Sequence, residues 1–485
     1  WYEILVTTIY IINFLAIINL IFREKRSIEA TVAWVLVLTT APAIGCILYI
    51  AVGRGISKNN MFKIKEAEDK ILKENIIDTQ IKLDRNDNFE PNLIGYKDMI
   101  YALANSNNSH FTTNNDVEIF PEPNDFFESL LEELKKAKHH INIQFYIFKD
   151  DEIGNKIIDI LIDKAQNGVE VRLLYDAVGS RLFSDKSIHK LKKSGVKVGA
   201  FFPSFMKVIN FNLNYRNHRK IVVIDGNVGF IGGNNIGDEY LGKDPKFGYW
   251  RDTHLKITGD SVKDLNIRFI LDWRYTTKED LVLDKYFGNE TLRLSNSKAC
   301  KDIGIQIVSS GPDSTELDEI KYGYIKMIQK AKKYIYIQTP YFILDKTLTD
   351  TLKIACFSGV DVRIMIPSKP DHPFVYWASS SYAGELLKYG AKLYNYDHNA
   401  FLHAKTIVVD DCVCSIGTAN MDIRSFELNF EINAFMYSSE VAKKQRAIFE
   451  NDILKSKEIT LDMYNSRSRY MRLKESISRL LSPIL

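Results

Sequence analysis

Two stretches of this chain carry the residue types whose chemistry is easiest to name. The first reads Asn217-His218-Arg219-Lys220-Ile221-Val222-Val223-Ile224-Asp225, and the second Leu402-His403-Ala404-Lys405-Thr406-Ile407-Val408-Val409-Asp410. Both are H-x-K-x4-D, and both continue after six residues with a Gly and then an Asn: Gly232 with Asn235, and Gly417 with Asn420. In an extended segment a His and a Lys two apart share a face, so each copy offers an imidazole beside an ammonium. One such match arises by chance with a probability of roughly a few per cent. Two at matching places, each with its Gly and Asn, are not coincidence. A purely structural role is also awkward, because lysine is rarely buried unpaired and here it adjoins an apolar run that must be core.

Two His, two Lys and two Asn meeting at one cleft make a phosphodiester site. Lys220, Lys405, Asn235 and Asn420 bind the non-bridging oxygens and stabilise charge that develops in the transition state. Imidazole titrates near neutrality, so it serves as nucleophile or proton carrier. One imidazole attacks phosphorus and forms a covalent phosphoryl-enzyme. The other protonates the departing alkoxide and then takes the proton of the incoming nucleophile. This scheme needs no metal or cofactor, and the sequence holds no ligand cluster for one. Each His requires an acid to fix its tautomer. Asp252, in Trp250-Arg251-Asp252-Thr253-His254, and Glu431, in Glu427-Leu428-Asn429-Phe430-Glu431, are the candidates, with a solvated strand edge as the equal alternative for each.

These residues need a frame, and the frame is duplicated. Ala137-Lys138-His139-His140-Ile141-Asn142-Ile143-Gln144 corresponds to Ala331-Lys332-Lys333-Tyr334-Ile335-Tyr336-Ile337-Gln338, each opening a strand after a basic helix end. Gly168 and Gly359 then each end a helix, and buried strands follow over residues 171–175 and 362–366. Strand–helix–strand in both copies predicts two α/β domains with mostly parallel sheets.

Ahead of them lie two apolar runs, residues 1–22 and 31–52. The first stops at Arg23-Glu24-Lys25-Arg26, and the second contains Pro42 and Gly45 and ends at Gly53-Arg54. Each is long enough to cross a hydrocarbon core of about 30 Å as a helix. A signal peptide would place its basic cluster before the apolar stretch, which is not the pattern here. A transmembrane hairpin over 1–54 is expected, then a polar linker with some helix over 55–110, a first α/β domain over 111–290 and a second over 291–485. Arg54, Lys58, Lys63 and Lys65 after the second run tip the catalytic bulk toward the cytoplasm. The chain starts at Trp1 without a Met, so a few native residues are expected ahead of it.

Composition agrees. The 485 residues carry 64 basic and 61 acidic side chains, a net charge of +3 that gives little purchase on a polyanion, so no nucleic-acid partner is expected. Five scattered cysteines without CxxC spacing argue against a disulfide framework and for a reducing compartment. No GxxxxGK[ST] phosphate loop is present. The tail over 464–485 mixes Arg467, Arg469, Arg472, Lys474 and Arg479 with apolar residues. It reads either as an amphipathic helix on anionic lipid or as a helix packed on the second domain. The aromatic stretch Phe201-Phe202-Pro203-Ser204-Phe205-Met206 reads either as lipid-dipping or as core or lid.

At these motifs the sequence resembles the phospholipase D superfamily and, more closely, bacterial cardiolipin synthases over essentially the whole chain. The resemblance rests on the duplicated motif, on Asn214-Tyr215-Arg216-Asn217, on Gly232-Gly233-Asn234-Asn235-Ile236-Gly237-Asp238-Glu239-Tyr240, on Pro340-Tyr341-Phe342 and Pro367-Ser368-Lys369-Pro370-Asp371, on Gly417-Thr418-Ala419-Asn420-Met421-Asp422-Ile423-Arg424-Ser425-Phe426, and on the paired apolar runs and the closing Leu481-Ser482-Pro483-Ile484-Leu485. It implies two pseudo-twofold-related domains with mixed sheets flanked by helices. It implies a multi-pass protein of the bacterial cell membrane that transfers a phosphatidyl group between two phosphatidylglycerol molecules, giving cardiolipin and glycerol. The implied catalytic set is His218, Lys220, Asp225, His403, Lys405 and Asp410. His218 falls on the nucleophile, His403 on the acid/base, and Asp252 and Glu431 on the His-orienting acids. A hydrolytic phospholipase D releasing phosphatidic acid is the rival reading. Oligomeric state is left open.

Overall fold

The computed structural model describes residues 1–22, 28–49, 94–107, 109–203, 215–281, 286, 302–312 and 318–482. The basic residues flanking the apolar runs, the 204–214 part of the aromatic stretch, the junction near 290 and the last three residues lie outside them.

Two β-sheets repeat one strand order. The first runs Asn115–Phe120, His254–Gly259, Val228–Gly232, Ile221–Ile224, His140–Phe145, Glu170–Asp176, Lys197–Phe201 from edge to edge. The second runs Gly304–Ser310, Asn429–Tyr437, Val413–Gly417, Thr406–Val409, Tyr334–Gln338, Asp361–Ile366, Lys392–Asn395, with Phe111–Thr112 and Lys457–Ile459 added at its two edges. Each sheet is mixed. The strand–helix–strand units pair in parallel, as His140–Phe145 does with Glu170–Asp176, and the hairpins pair antiparallel, as Ile221–Ile224 does with Val228–Gly232. The sequence pattern pointed to mostly parallel sheets; the antiparallel half comes from the motif strands, whose short apolar runs do not reveal direction. Gly168 and Gly359 do terminate their helices, at φ +87° and +81°, in the left-handed region where a Cβ is strained.

Burial organises the halves into three cores. Helices Val262–Thr277 and Ser439–Leu454 lie between the sheets, and their Leu265, Phe269, Trp273, Val441 and Phe449 pack with Ile221, Ile231, Ile307, Val408 and Ile432 from both repeats. An outer core in each half is covered by the remaining helices. Fusing the halves through one shared apolar layer fixes their relative orientation far more firmly than a polar interface would. Lys97–Asn107, inside the stretch read as linker, packs Met99, Ile100 and Leu103 into the outer core of the second half, and the Gln306 amide donates to the carbonyls of Ile100 and Ser109.

At the N-terminus, Tyr2–Phe22 is one 21-residue helix and, among the described residues, the only one long and apolar enough to cross a membrane. The second apolar run is not one continuous helix. It splits into Ile28–Thr40 and Pro42–Leu48, because Pro42 has no N–H to give to the carbonyl of Leu38. That carbonyl is satisfied from the first helix, whose Asn13 amide donates to Leu38 and Pro42 oxygens, both at 3.0 Å. Ala16, Leu20, Trp34, Leu38 and Tyr49 pack the pieces together.

Candidate active site

The two H-x-K segments lie where the halves meet, each held by the other repeat. Arg216–Asn217 pairs in parallel with Asn429–Phe430, and the His218 N–H donates to the Phe430 carbonyl at 2.9 Å. Reciprocally, Ala400–Leu402 pairs in parallel with Tyr249–Arg251, and the His403 N–H donates to the Arg251 carbonyl at 2.7 Å. The segment that receives each motif also bears an acid: Glu431 lies within its strand, and Asp252 directly follows its own. His218 Nδ1 sits 2.9 Å from Glu431 Oε2, and His403 Nδ1 sits 2.6 Å from Asp252 Oδ2. The orienting acids are therefore exchanged: the second repeat supplies the acid for the first histidine, and the first repeat supplies the acid for the second. With Nδ1–H donating to a carboxylate, each imidazole keeps Nε2 for chemistry. Both rings retain slight exposure, 9% for His218 and 8% for His403, whereas both acids have none.

The lysines are buried between these pairs. Lys220 Nζ donates back to the His218 carbonyl at 2.8 Å, and Lys405 Nζ makes the same contact with His403. Their segments precede strands Ile221–Ile224 and Thr406–Val409 rather than lying within them, and the bond back to the histidine carbonyl draws the ammonium to the imidazole. Burial pushes Lys220 down to about 7 and Lys405 down to about 8; Glu431 and Asp252 pull both back up, and each lysine feels the other half's acid. Burial also lowers His403 to about 4 and holds His218 below its usual value. For Asp252, burial is outweighed by Lys405 and His403, and for Glu431 by His218 and Lys220, so both stay below the ordinary carboxylate range. The cleft thus favours neutral imidazoles, ionised carboxylates and partly discharged lysines. Such a site is tuned to receive an anion.

Asp225 and Asp410 do not join the cleft. Roughly 13 Å of strand rise separates Lys220 from Ile224, and beyond it Asp225 accepts the backbone N–H groups of Lys138, His139 and His140 at 2.8–3.0 Å. Asp410 likewise accepts those of Lys332, Lys333 and Tyr334 at 2.6–2.9 Å. Both adopt left-handed φ, +54° and +53°, which Asp tolerates better than most residues. They staple the motif strand to the start of its neighbour. Asn235 is tied by its amide oxygen to the Ile147 N–H and by its amide nitrogen to the Tyr240 hydroxyl. Asn420 anchors through its own N–H to Ser425 Oγ, while its amide oxygen is buried without a partner among the described residues.

Several residues around the site have contacts that the sequence did not assign. Tyr146 presents its ring edge-on to His218 at 5.0 Å and beneath Lys220 at 5.4 Å. Thr418 Oγ1 donates to Glu431 at 2.5 Å, whereas the matching Gly233 leaves room for Asp252, whose Oδ1 would lie 2.0 Å from any Cβ there. Arg219 spans Asp272 at 2.7 and 3.0 Å, the Glu431 carbonyl and the Ser310 carbonyl. The second motif has Ala404 at that place, and Arg251 of the first half reaches Asp452 instead, 2.8 Å away. Among the described residues no group of three His, Cys, Asp or Glu side chains is placed to hold a metal.

Comparison with known proteins adds three findings. A family model described as "Cardiolipin synthase, PLD-like domain" matches residues 130–245 and again 324–453, and one described as "Phospholipase_D-nuclease N-terminal" matches 11–54. The chain is 48% identical to the major cardiolipin synthase ClsA of Bacillus subtilis, covering 100% of this chain and 99% of that one, and 47% identical to a cardiolipin synthase of Oceanobacillus iheyensis, covering 98% of each. Its fold is similar to the crystal structure of a phosphatidylserine synthase from Haemophilus influenzae, with a TM-score of 0.59 at 18% identity over 79% of this chain and 99% of that one.

Proposed function

This chain belongs to the cardiolipin synthases of the phospholipase D superfamily and is a phosphatidyltransferase; from that premise we propose that it joins two phosphatidylglycerol molecules through a covalent intermediate on His218. Nε2 of His218 attacks phosphorus of the first lipid while Lys220, Lys405 and the side-chain amides of Asn235 and Asn420 bind its non-bridging oxygens. The phosphodiester anion brings a proton from solution onto His403 Nε2 as it binds, and as the P–O bond to glycerol breaks, His403 gives that proton to the departing oxygen. A glycerol hydroxyl of the second phosphatidylglycerol then gives its proton to His403 and attacks phosphorus, releasing cardiolipin and free His218. Glu431 offsets the positive charge of the phosphorylated imidazole, and Asp252 keeps His403 in one tautomer.

The observation that carries this reading is the exchange of acids, which aims two Nε2 atoms from different repeats into one cleft beside two lysines. One phosphodiester replaces another, so no external energy source is required. We further assign the apolar N-terminus to two membrane passes, with Asn13 capping the break at Pro42, and the catalytic repeats to the cytoplasmic side. The thiols Cys46, Cys356, Cys412 and Cys414, which form no disulfides, fit that compartment. The test is purified protein with headgroup-labelled phosphatidylglycerol. Cardiolipin and glycerol should form in equal amounts, and an alkaline quench, under which phosphohistidine survives, should leave phosphatidyl on the peptide containing His218. Phosphatidic acid as the main product, or full activity in His218→Ala, would overturn it.

A further inference from the structure

The C-terminal helix Arg469–Leu481 is turned the wrong way for a helix resting on a protein surface. Such helices bury their apolar stripe. Here Glu475 and Ser478 face inward at 5% and 0% exposure, while Tyr470, Leu473, Ile477 and Leu480 stand out at 66%, 56%, 46% and 62%. The inward face is closed by polar contacts. Arg467 holds the Glu475 carboxylate at 2.7 and 2.6 Å, Arg479 pairs with Glu385 at 2.6 Å, and Ser482 meets the Tyr382 hydroxyl at 3.0 Å. Those bonds fix the rotation of the helix, so the apolar stripe cannot roll inward.

The stripe recurs at i, i+3, i+7 and i+10, one face of the helix. Arg469 and Arg472 flank it on one side. Lys474 flanks it on the other, lying over the rings of Trp377 and Tyr470 at 4.6 and 4.2 Å. Four basic residues and one acidic residue make the helix cationic. The apolar surface continues onto helix Pro373–Leu386 through Phe374, which packs against Trp377 and is 47% exposed. Asp371, just ahead of that helix, bonds the Tyr341 hydroxyl and is near enough to Lys405 to act on its charge, so this surface adjoins the cleft.

We propose that the outward face of Arg469–Leu481, with Phe374 and Trp377, is a docking surface for an anionic phospholipid bilayer. Tyr470, Leu473, Ile477 and Leu480 enter the acyl boundary, and Arg469, Arg472 and Lys474 lie among the headgroups. Charge selects this occupant. A second copy of the chain would set the same basic flanks against each other, whereas an anionic surface complements them. Docked this way, the cleft meets lipid phosphodiesters at headgroup level.

The test uses the full chain in vesicles of phosphatidylglycerol with brominated acyl chains. The emission added by Ile477→Trp, measured against the parent chain, should be largely quenched. A second measurement is the double variant Leu473→Glu/Ile477→Glu, which should raise KM for bilayer phosphatidylglycerol about tenfold or more and leave turnover of monomeric short-chain phosphatidylglycerol unchanged. Unquenched emission overturns the proposal, whether aqueous iodide reaches the probe (a face open to water) or only high protein density shields it (a second copy). Equal loss on both substrates overturns it as well. Quenching requires no catalysis, so its failure is distinct from failure of the proposed reaction.

Discussion

Binding of a tetrahedral oxyanion should draw protons from solution, because burial in the cleft holds the lysines partly discharged. Burial lowers Lys220 to about 7 and Lys405 to about 8. At pH 7.5 they are then ~25% and ~75% protonated, so together they carry ~1 charge instead of two. An anion seated between them cancels their repulsion and replaces the lost hydration, returning both toward the ordinary lysine range. Uptake should therefore be ~1 proton per site at pH 7.5, falling to ~0.1 at pH 6, where both lysines are already charged. The sign follows from the direction of the shift: pKa values raised on binding make affinity grow as pH falls from 9 toward 7. Tungstate, a dianion across this range, serves as ligand. Calorimetric titration in two buffers of different ionisation enthalpy reads the proton count directly. Burial holds His403 at about 4, and it would add its own uptake, so the lysine count is taken in His403→Gln. Zero uptake, or release, at pH 7.5 refutes the claim that burial discharges these lysines.

Three further outcomes follow from the geometry. Glu431→Gln and Asp252→Asn should each slow transfer by about 10³-fold by letting an imidazole take the wrong tautomer, and a rate within tenfold of the parent would show that the acids do not orient the histidines. Asp225→Ala or Asp410→Ala should cost about 2–3 kcal/mol by stripping an acceptor from three backbone N–H groups, with kcat of the folded enzyme preserved; denaturant titration and kcat together check this, and collapse of kcat at intact stability would support a catalytic role for the aspartates instead. Arg251→Met should cost about 3–5 kcal/mol by leaving Asp452 buried and unpaired, and adding Asp452→Leu should recover most of it, as read from unfolding midpoints.

Much of the architecture was legible because duplication leaves a trace in the sequence. The paired H-x-K motifs, the glycines at 168 and 359 and the strand starts at His140 and Tyr334 recur at matching places, and the matching strand orders follow from them. The acids at 252 and 431 were legible as candidates, yet not their partners, because exchange across an interface has no signature in linear spacing. The H-x-K-x4-D pattern joins an aspartate to the motif without revealing that the strand carries it out of the cleft. Pairings such as Arg219 with Asp272 and Arg251 with Asp452 were invisible, since the two repeats solve the same packing problem with arginines at different positions. The break at Pro42 was visible; that Asn13 repairs it was not, because the bond links separate helices.

The exchanged carboxylates have an evolutionary consequence. A polypeptide holding only one repeat would contain an imidazole with no acid to orient it and an acid with no imidazole to serve. It could build a working centre only by associating with a twin across a twofold axis. Tandem fusion of such a pair frees the members to diverge, as Thr418 opposite Gly233 and Ala404 opposite Arg219 already record. Deleting either member would take from the other's histidine its carboxylate partner.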